Sequence, residues 1–390
     1  MRCKMKRTWW QASMDWFAVL VMMVLMLTCW ISQEIRGKVF WYANLIFFCP
    51  LVALFFSQID WLQKVKEKEK EIYILMTGVG ASIVNLFLAK SNIGAIFSIL
   101  NFLLMLYLAD KVMLSRKMIY SLTLTCIGIV LYWILYKHVT FETAEFNTNG
   151  VSHAICTPMF FGVYGMCWLL EDKIKWGRKE RGILFLCFSA MVFLQIVNLR
   201  ARGTALGIIT AIFVYYLLPK KKWSVYMILV GTLLIPVIYL LLGNMGLLNI
   251  MFAGKRIMSG RDEIWAVFGS AYLHHPIIGI GSNFGRVVPQ LEIKEVHHAL
   301  LDLLFVHGGS VFLFVLYFLI KRFRDLFGKT EKIEQGSRTA LALSFLYGMI
   351  IIGTFENYYI VAPCSTVFFL ILVLEYQKLK KGKGLVEEGK

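Results

Sequence analysis

The segment "VHHALLDLLFVHGG", residues 296–309, places three titratable side chains at the start of an otherwise apolar run: His297, His298 and Asp302. Histidine can accept a proton near neutral pH, and a neighbouring carboxylate can orient the imidazole. On a helix, His298 and Asp302 are i,i+4 neighbours, so we expect Asp302 to orient His298 while His297 faces a cavity. The segment predicts an acid–base site. The alternative is that the histidine has a structural role, buried at a helix start with its hydrogen bonds satisfied.

Two arginines, Arg200 and Arg202, stand in the short connection "NLRARGTALG" between two apolar stretches. A charged group costs about 2.5–3.5 kcal/mol at the centre of a membrane helix and less at its end. The guanidinium group binds phosphate through a planar pair of charge-assisted hydrogen bonds. The pair therefore predicts binding of an anionic substrate, against the alternative of arginines that anchor helix ends at the lipid surface.

A third arginine, Arg261, opens the segment "RDEIWAVFGSAYLHHP", whose apolar residues recur at helical spacing. Ser259 and Asp262 fit a helix start, and we expect this helix to lie amphipathically on the membrane. The amides and positive dipole end of a helix beside a guanidinium suit a phosphate group. The alternative is that Arg261 pairs with Asp262 or with a lipid headgroup.

Further candidates are two glycines and an acidic residue at a span end. Gly279 and Gly281 in "HPIIGIGSNFGR" allow a ligand to approach the backbone closely, although no βαβ context supports a dinucleotide site. Glu356 in "GTFENYY" ends another apolar stretch and is expected to pair with an arginine. We expect the polar candidates to converge on one outward cavity, formed by Arg200, Arg202, Arg261, His297, His298, Asp302 and Glu356.

The elements that must position these residues are membrane helices. Of the 390 residues, 58% are hydrophobic and only 17% charged. Apolar runs of about 17–25 residues recur along the chain, which predicts an all-α polytopic membrane protein with about 12 transmembrane helices in a single domain over residues 1–390. The predicted spans centre near Leu20, Phe47, Val79, Ile99, Leu124, Gly162, Met191, Ile209, Leu234, Phe314, Tyr347 and Leu370.

The net charge of +17 would indicate nucleic-acid binding in a soluble protein, but here its distribution decides the interpretation. Basic residues cluster in alternate loops, which predicts that both termini are cytoplasmic and that the bilayer, not a nucleic acid, is the partner. Two longer segments then face outward: residues 137–153, and residues 243–299 between spans nine and ten. The basic clusters lie at 2–7, 64–70, 111–117, 173–181, 220–222, 321–338 and 378–390.

Cofactor signatures are lacking in the sequence. The eight cysteines show no CxxC spacing, no phosphate-binding Walker loop occurs, and no compact set of carboxylates is evident. We therefore expect a metal-independent site without a cofactor.

Four segments in order, "ARGTALG", "SGRDEIW", "HHPIIGIGSNFG" and "HHALLDLLFVHGG", resemble the O-antigen ligase and O-antigen polymerase superfamily. The resemblance covers residues 198–317 by motif, and the twelve-span layout extends it to most of the chain. It implies a GT-C-like membrane glycosyltransferase that uses a glycan on undecaprenyl pyrophosphate at the outer face of the cytoplasmic membrane. A flippase and a chain-length regulator are further partners that the resemblance implies.

The family's motifs map onto individual residues of this chain. The resemblance implies that Arg202 and Arg261 bind the pyrophosphate and that His297 is catalytic, either as the base or as a phosphate ligand. Ala201 stands where serine is common, and His298 stands where asparagine is usual. The segment "FNTNGVSHA" resembles the family's earlier outer loop, with Asn149 as its asparagine.

Three functions remain open at this stage. The resemblance favours a polysaccharide polymerase that joins lipid-linked repeat units for capsule, exopolysaccharide or O-antigen. A ligase that transfers the same lipid-linked glycan to another acceptor shares the donor and the motifs. A repeat-unit flippase or transporter belongs to a different class, but transporters place polar groups near the bilayer midplane, whereas the polar residues here collect at one face.

Overall fold

A computed structural model of the chain describes most of its helices and part of the large outer segment. The residues described are 9–31, 33–136, 148–170, 177–217, 230–231, 234–235, 238, 251–252, 255–256, 260–283, 295–327, 333 and 337–382.

Apart from one hairpin of two-residue strands, β1 (Met251–Phe252) and β2 (Lys255–Arg256), the described elements are helices. Five-residue π-helical turns at Tyr132–Tyr136 and Leu194–Asn198 extend α6 and α8. The helices are α1 (Trp9–Ile31), α2 (Gln33–Gln58), α3 (Trp61–Lys66), α4 (Lys70–Leu88), α5 (Ile93–Leu108), α6 (Arg116–Leu131), α7 (Thr148–Leu169), α8 (Arg178–Phe193), α9 (Arg202–Tyr216), α10 (Arg261–Leu273), α11 (Ala299–Phe305), α12 (Gly308–Phe327), α13 (Arg338–Ile352) and α14 (Cys364–Gly382).

Four of the described helical segments are long and apolar enough to cross a membrane: Trp9–Ile31, Lys70–Leu88, Arg116–Tyr136 and Lys179–Asn198. Their length and composition indicate a helical membrane protein. Each predicted span centre other than Leu234 lies in a described helix. The segment around Leu234 lies mostly outside the described residues, so the number twelve stays a prediction. Alternating helix directions bring the chain repeatedly to the same two ends of the bundle.

Helix α4 defines these two ends. At its first turn, the Glu71 carboxylate accepts bonds from Arg322 at 2.8 Å and Lys111 at 3.0 Å. At its last turn, the Asn85 amide donates to the carbonyl of Ile278 in the large outer segment. The first end, which we call the basic end, carries described basic residues that include Lys111, Lys321, Arg322 and Lys380. The second end, which we call the site end, carries the described candidate residues.

Buried ion pairs hold the basic end together. The Arg322 side chain is fully buried, donates to the carbonyl oxygens of Leu106 and Tyr107 at 2.6 and 3.1 Å, and pairs with Asp110 at 3.1 Å. A buried guanidinium needs partners of this kind, and these contacts satisfy its Nε and Nη2 donors. The network joins α4, the end of α5 and α12, and fixes the helices whose other ends form the site.

The large outer segment builds a small core of its own. The predicted helical stripe is present in α10, where Ile264, Trp265 and Phe268 are buried. This face packs on Val296 and Leu301 rather than on lipid. The apolar face of α10 thus joins this helix to the start of α11, and the position of α10 at the membrane stays a prediction.

The other predicted outer loop, 137–153, is shorter than expected. Residues 137–147 lie outside the described part of the chain, and α7 already begins at Thr148. The last residues of the predicted loop therefore form the first turns of a helix. Within that helix Ser152 is fully buried and donates to Thr204 of α9 at 2.7 Å, which ties the start of α7 to the start of α9.

Candidate functional site

Glu356 lies at the centre of the site, in the segment between α13 and α14. Its Oε1 atom lies 3.2 Å from Nη2 of Arg261, and its Oε2 atom lies 3.0 Å from Nδ1 of His297. The predicted pairing of Glu356 with an arginine is confirmed, and the partner is Arg261. One carboxylate thus connects α10, the segment before α11 and the end of α13.

The ionisation of Glu356 follows from its neighbours. Burial alone would raise the pKa of this carboxyl group. The hydrogen bond from His297 and the positive charges of His153, His297 and Arg261 outweigh burial and hold the pKa of Glu356 below its usual value. Because an ionised carboxylate only accepts hydrogen bonds, His297 donates to it through Nδ1–H; when this imidazole is neutral, its lone pair is therefore on Nε2.

Arg261 is held by the backbone as well as by Glu356. Its Nε and Nη2 atoms donate to the carbonyl oxygen of Phe355 at 3.2 and 2.8 Å, and its guanidinium lies 5.8 Å from the Phe355 ring. Gly260 precedes Arg261 as the helix N-cap, with a left-handed φ of 79°. A glycine rather than Ser259 therefore occupies the cap, and Ser259 itself lies outside the described residues.

His297 has an unusual backbone conformation. Its φ is +53°, in the left-handed region that few residues other than glycine adopt. It therefore lies outside α11, which begins at Ala299. The left-handed turn directs His297 towards Glu356 while the next residue turns inward, and such strained residues cluster at functional sites.

His298 does not pair with Asp302 as a helical neighbour, because it precedes α11 and has an extended backbone. It is the N-cap of α11: its Nδ1 atom accepts a hydrogen bond from the Leu301 amide at 3.2 Å. The ring is fully buried against Trp265, with ring centroids 5.7 Å apart. The predicted i,i+4 pair was wrong, and the ligand-binding role of His298 stays a prediction that this burial does not favour.

Asp302 contacts His298 indirectly. Asn357 accepts a hydrogen bond from the His298 amide at 3.2 Å and donates to the Asp302 carboxylate. Asp302 also lies 3.8 Å from Nε2 of the buried His307, beyond hydrogen-bonding distance. Asp302 thus contacts Asn357, and through it α11 supports the segment 356–357.

Arg200 and Arg202 flank Ala201, the N-cap residue of α9. Arg200 is exposed and has a left-handed φ of +50°, and the π-helical turn Leu194–Asn198 ends two residues before it. Arg202 begins α9 beside Gly203, where a Cβ atom would lie 3.3 Å from Cβ of Phe355. Because Phe355 binds Arg261 through its carbonyl oxygen, the start of α9 and the start of α10 meet at the same residue.

Gly279 and Gly281 both have positive φ and are packed against the backbone of the protein itself. A Cβ atom on Gly279 would lie 2.5 Å from the Val306 carbonyl oxygen, and one on Gly281 would lie 2.1 Å from that of Ala89. These contacts explain glycine at both positions without a ligand. Their predicted role in ligand binding stays a prediction, as does that of Asn149, whose side chain lies outside the described part of α7.

Glu295 is a site residue that the sequence did not single out. Its Oε2 atom lies 3.7 Å from Nδ1 of His297, and its side chain is half exposed. Glu295, His297 and Glu356 offer ligand atoms within 4.8 Å of one another, a spacing that could hold a metal ion. Among the described residues, however, the positive charge of Arg261 already compensates the negative charge of the Glu356 carboxylate, at a distance of 3.2 Å.

No protein-family model matches the chain, and no curated protein matches it. The fold is that of a helical membrane protein. At its site end, two helices that begin with an arginine, α9 and α10, lie close to His297 and Glu356.

Proposed function

We propose that the chain is a polysaccharide polymerase, a membrane glycosyltransferase that joins undecaprenyl-pyrophosphate-linked repeat units at the outer face of the cytoplasmic membrane. The observation that carries the proposal is that Arg261 and His297 share the Glu356 carboxylate. The start of α9, which bears Arg202, packs against Phe355 beside them. This cluster lies at the site end, opposite the basic loops that the positive-inside rule assigns to the cytoplasm. The four motifs that resemble the O-antigen ligase and polymerase superfamily support the same reaction.

The proposed reaction is a substitution at the anomeric carbon of the donor sugar. The acceptor hydroxyl oxygen forms a bond to this carbon while its bond to the pyrophosphate oxygen breaks, and the electron pair leaves with the pyrophosphate. The hydroxyl proton passes to Nε2 of His297. Glu356, bound to Nδ1 at 3.0 Å, stabilises the resulting imidazolium, as a buried carboxylate does for other catalytic histidines.

The arginines stabilise the leaving group. Pyrophosphate gains negative charge as the bond breaks, and a guanidinium held in place by other contacts is preorganised to meet that charge. Arg261 has this property because the Phe355 carbonyl oxygen and Glu356 hold its Nη2 and Nε donors. Arg202 begins α9, whose first turn lies against Phe355, and the exposed Arg200 precedes it by two residues.

A ligase would use the same donor and the same residues, so the experiment must identify the acceptor. In a gene-deletion strain, loss of the polymerase is expected to leave single repeat units and no ladder of longer chains. Mass spectrometry of the lipid-linked pool and gel analysis of attached polysaccharide read this directly. Long chains accumulating on the lipid carrier would instead identify a ligase, and single units trapped on the cytoplasmic side would identify a flippase.

Independence from metal is part of the proposal, and the Glu295–His297–Glu356 group makes it worth testing. Glycosyl transfer by the purified protein is expected to continue in excess EDTA, because Arg202 and Arg261 supply the positive charge. Loss of transfer in EDTA, with recovery on adding Mg²⁺ or Mn²⁺, would assign that group to a metal ion instead.

A further inference from the structure

Two carboxylates face the same ring nitrogen of His297. Oε2 of Glu356 lies 3.0 Å from Nδ1, and Oε2 of Glu295 lies 3.7 Å from the same atom. A proton on Nδ1 makes a hydrogen bond of normal length only with the nearer oxygen, because 3.7 Å is too long. Two carboxylate oxygens and one ring nitrogen therefore converge on a point that a metal ion, unlike a proton, can bind from all three sides.

The spacing of these three atoms fits Zn²⁺. This ion binds imidazole nitrogen and carboxylate oxygen at about 2.0–2.2 Å, so the ligand atoms of a tetrahedral site lie about 3.4 Å apart. The observed distances of 3.0 and 3.7 Å lie on either side of this value, and all three ligand atoms lie within 4.8 Å of one another. Glu295 can make the remaining adjustment, because its side chain is 52% exposed.

Arg261 does not lie between these ligand atoms. It contacts Oε1 of Glu356 at 3.2 Å, whereas His297 contacts Oε2 of the same carboxylate. Glu295 adds a second negative charge next to the pair of Glu356 and Arg261, which favours a further cation at this point. Both His297 and Glu295 are partly exposed, so an ion can enter from the solvent side.

The types of the ligand atoms select the ion. Mg²⁺ and Ca²⁺ prefer ligand sets made of oxygen atoms, whereas an imidazole nitrogen together with carboxylates suits Zn²⁺. Three protein ligands and an open fourth position for water are a common arrangement around Zn²⁺. The same set is poorly suited to Mg²⁺, which keeps several of its own water molecules.

We propose that Glu295, His297 and Glu356 form an inhibitory Zn²⁺ site, in which Nδ1 of His297 and one oxygen of each carboxylate bind the ion. The inhibition rests on the proposed function, whereas the binding does not. A neutral imidazole that binds Zn²⁺ through Nδ1 carries its one proton on Nε2 instead of Nδ1. Nε2 then cannot accept the proton of the acceptor hydroxyl, so glycosyl transfer stops until the ion leaves. Transfer itself needs no metal, and Zn²⁺ acts as a reversible inhibitor.

The first measurement is the binding of Zn²⁺ to the full-length protein in lipid nanodiscs, by competition with a fluorescent zinc chelator. We expect one Zn²⁺ at this site per chain, not displaced by millimolar Mg²⁺. Glu295→Gln and His297→Gln should each weaken binding roughly tenfold or more, because each removes a ligand. Glu263→Gln, at an exposed position on α10, is the matched control and should bind as wild type does.

Exposed thiols and histidines elsewhere in the chain also bind Zn²⁺, and the design separates them from the site. Such residues are Cys49, Cys187, His274 and His275. All proteins compared therefore lack the native cysteines and carry His274→Gln and His275→Gln. X-ray absorption at the zinc edge should show one imidazole ligand on the bound ion, and His297→Gln should lose it.

Inhibition is measured for each variant as the ratio of its transfer in Zn²⁺ to its own transfer in EDTA. Transfer by the protein with an intact site should fall roughly tenfold or more as the site fills, and Glu295→Gln should need a correspondingly higher Zn²⁺ concentration. Continued transfer with the site filled would overturn the inhibitory role.

The binding measurements need no substrate, so they separate this inference from the proposed function. Equal Zn²⁺ affinity with Glu295 and with Glu295→Gln, or an absorption spectrum without an imidazole ligand, would overturn the site. Because Glu295 is half exposed, its glutamine variant is expected to fold and tests the site independently of His297→Gln. Binding at the site in a purified protein that has no glycosyl transfer would support the site and contradict the polymerase.

Discussion

The Nδ1 atom of His297 lies 3.0 Å from Oε2 of Glu356, although the two residues are 59 positions apart in the chain. This contact holds the imidazole in one orientation and fixes its tautomer. The same carboxylate binds Arg261 through its other oxygen, so an acid–base group and a phosphate-binding group share one support. The state of Glu356 therefore determines both halves of the proposed mechanism.

Replacement of Glu356 by glutamine should reduce glycosyl transfer by roughly 10²-fold or more, because a neutral amide cannot stabilise the imidazolium. The protein level should stay close to that of wild type, since glutamine has the same shape and still accepts one hydrogen bond. Glu263→Gln, at an exposed position on α10, is the matched control and should leave transfer unchanged. Full activity in Glu356→Gln would remove this residue from the mechanism.

Exchange of Arg261 for lysine should restore little of the activity lost in Arg261→Ala. A lysine is a single point charge and cannot bind the Phe355 carbonyl oxygen and Glu356 while presenting a planar pair of donors to pyrophosphate. Arg202→Lys should behave in the same way. Arg324→Lys, at an exposed position at the basic end, serves as the control. Polymer length on gels measures each variant, and wild-type length in Arg261→Lys would contradict a role for the guanidinium fork.

The acid sensitivity of the fold should depend on Glu356. Its pKa is held below the usual value in the folded protein, so its contribution to stability is present above the unfolded pKa of about 4.5 and is lost as the pH falls through the folded pKa. Between about pH 5 and pH 3 wild type should therefore lose more thermal stability than Glu356→Gln. Melting curves of the purified proteins measure the difference, and parallel losses in the two proteins would show that the carboxylate is not stabilised.

A replacement of His298 by asparagine should be tolerated better than a replacement by alanine. The N-cap function of His298 needs an acceptor for the Leu301 amide, and asparagine is among the preferred N-cap residues. His298→Ala loses this acceptor, at a cost of about 1–2 kcal/mol in the free energy of unfolding, and also leaves a cavity beside Trp265. Thermal melts of both variants decide the point; equal destabilisation would show that the ring, not the cap, is what the site requires.

The part of the site that could be predicted from the sequence is the pairing of charged residues that lie beside apolar segments. Glu356 and Arg261 are charged residues beside apolar runs, and burial of one charge demands the other nearby, so their pairing followed from composition alone. The orientation of the helices in the membrane, inferred from apolar length and alternating basic loops, stays a prediction.

The placement of His297 and His298 could not be read from periodicity. Both fit a helical pattern with the apolar run that follows, but the helix begins after them because the Asn357 side chain binds the His298 amide. This partner comes from a segment far along the chain. The ring contact between His153 and Tyr358, with centroids 4.8 Å apart, likewise depends on how α7 packs against the segment before α14. A histidine beside a predicted span end was the only sequence signal.

The orientation of the site end can be tested by cysteine labelling, and the proposed reaction depends on it. Cysteines at His274 and Asn283, exposed positions at the site end, should react with an impermeant thiol reagent in intact cells when the eight native cysteines are replaced. Cysteines at Lys66 and Arg324, exposed positions at the basic end, should react only after lysis. Lipid-linked repeat units are polymerised outside, so a cytoplasmic site end could not receive them after they cross the membrane. Labelling of the second pair in intact cells would therefore reverse the topology and exclude the polymerase, whatever the site variants show.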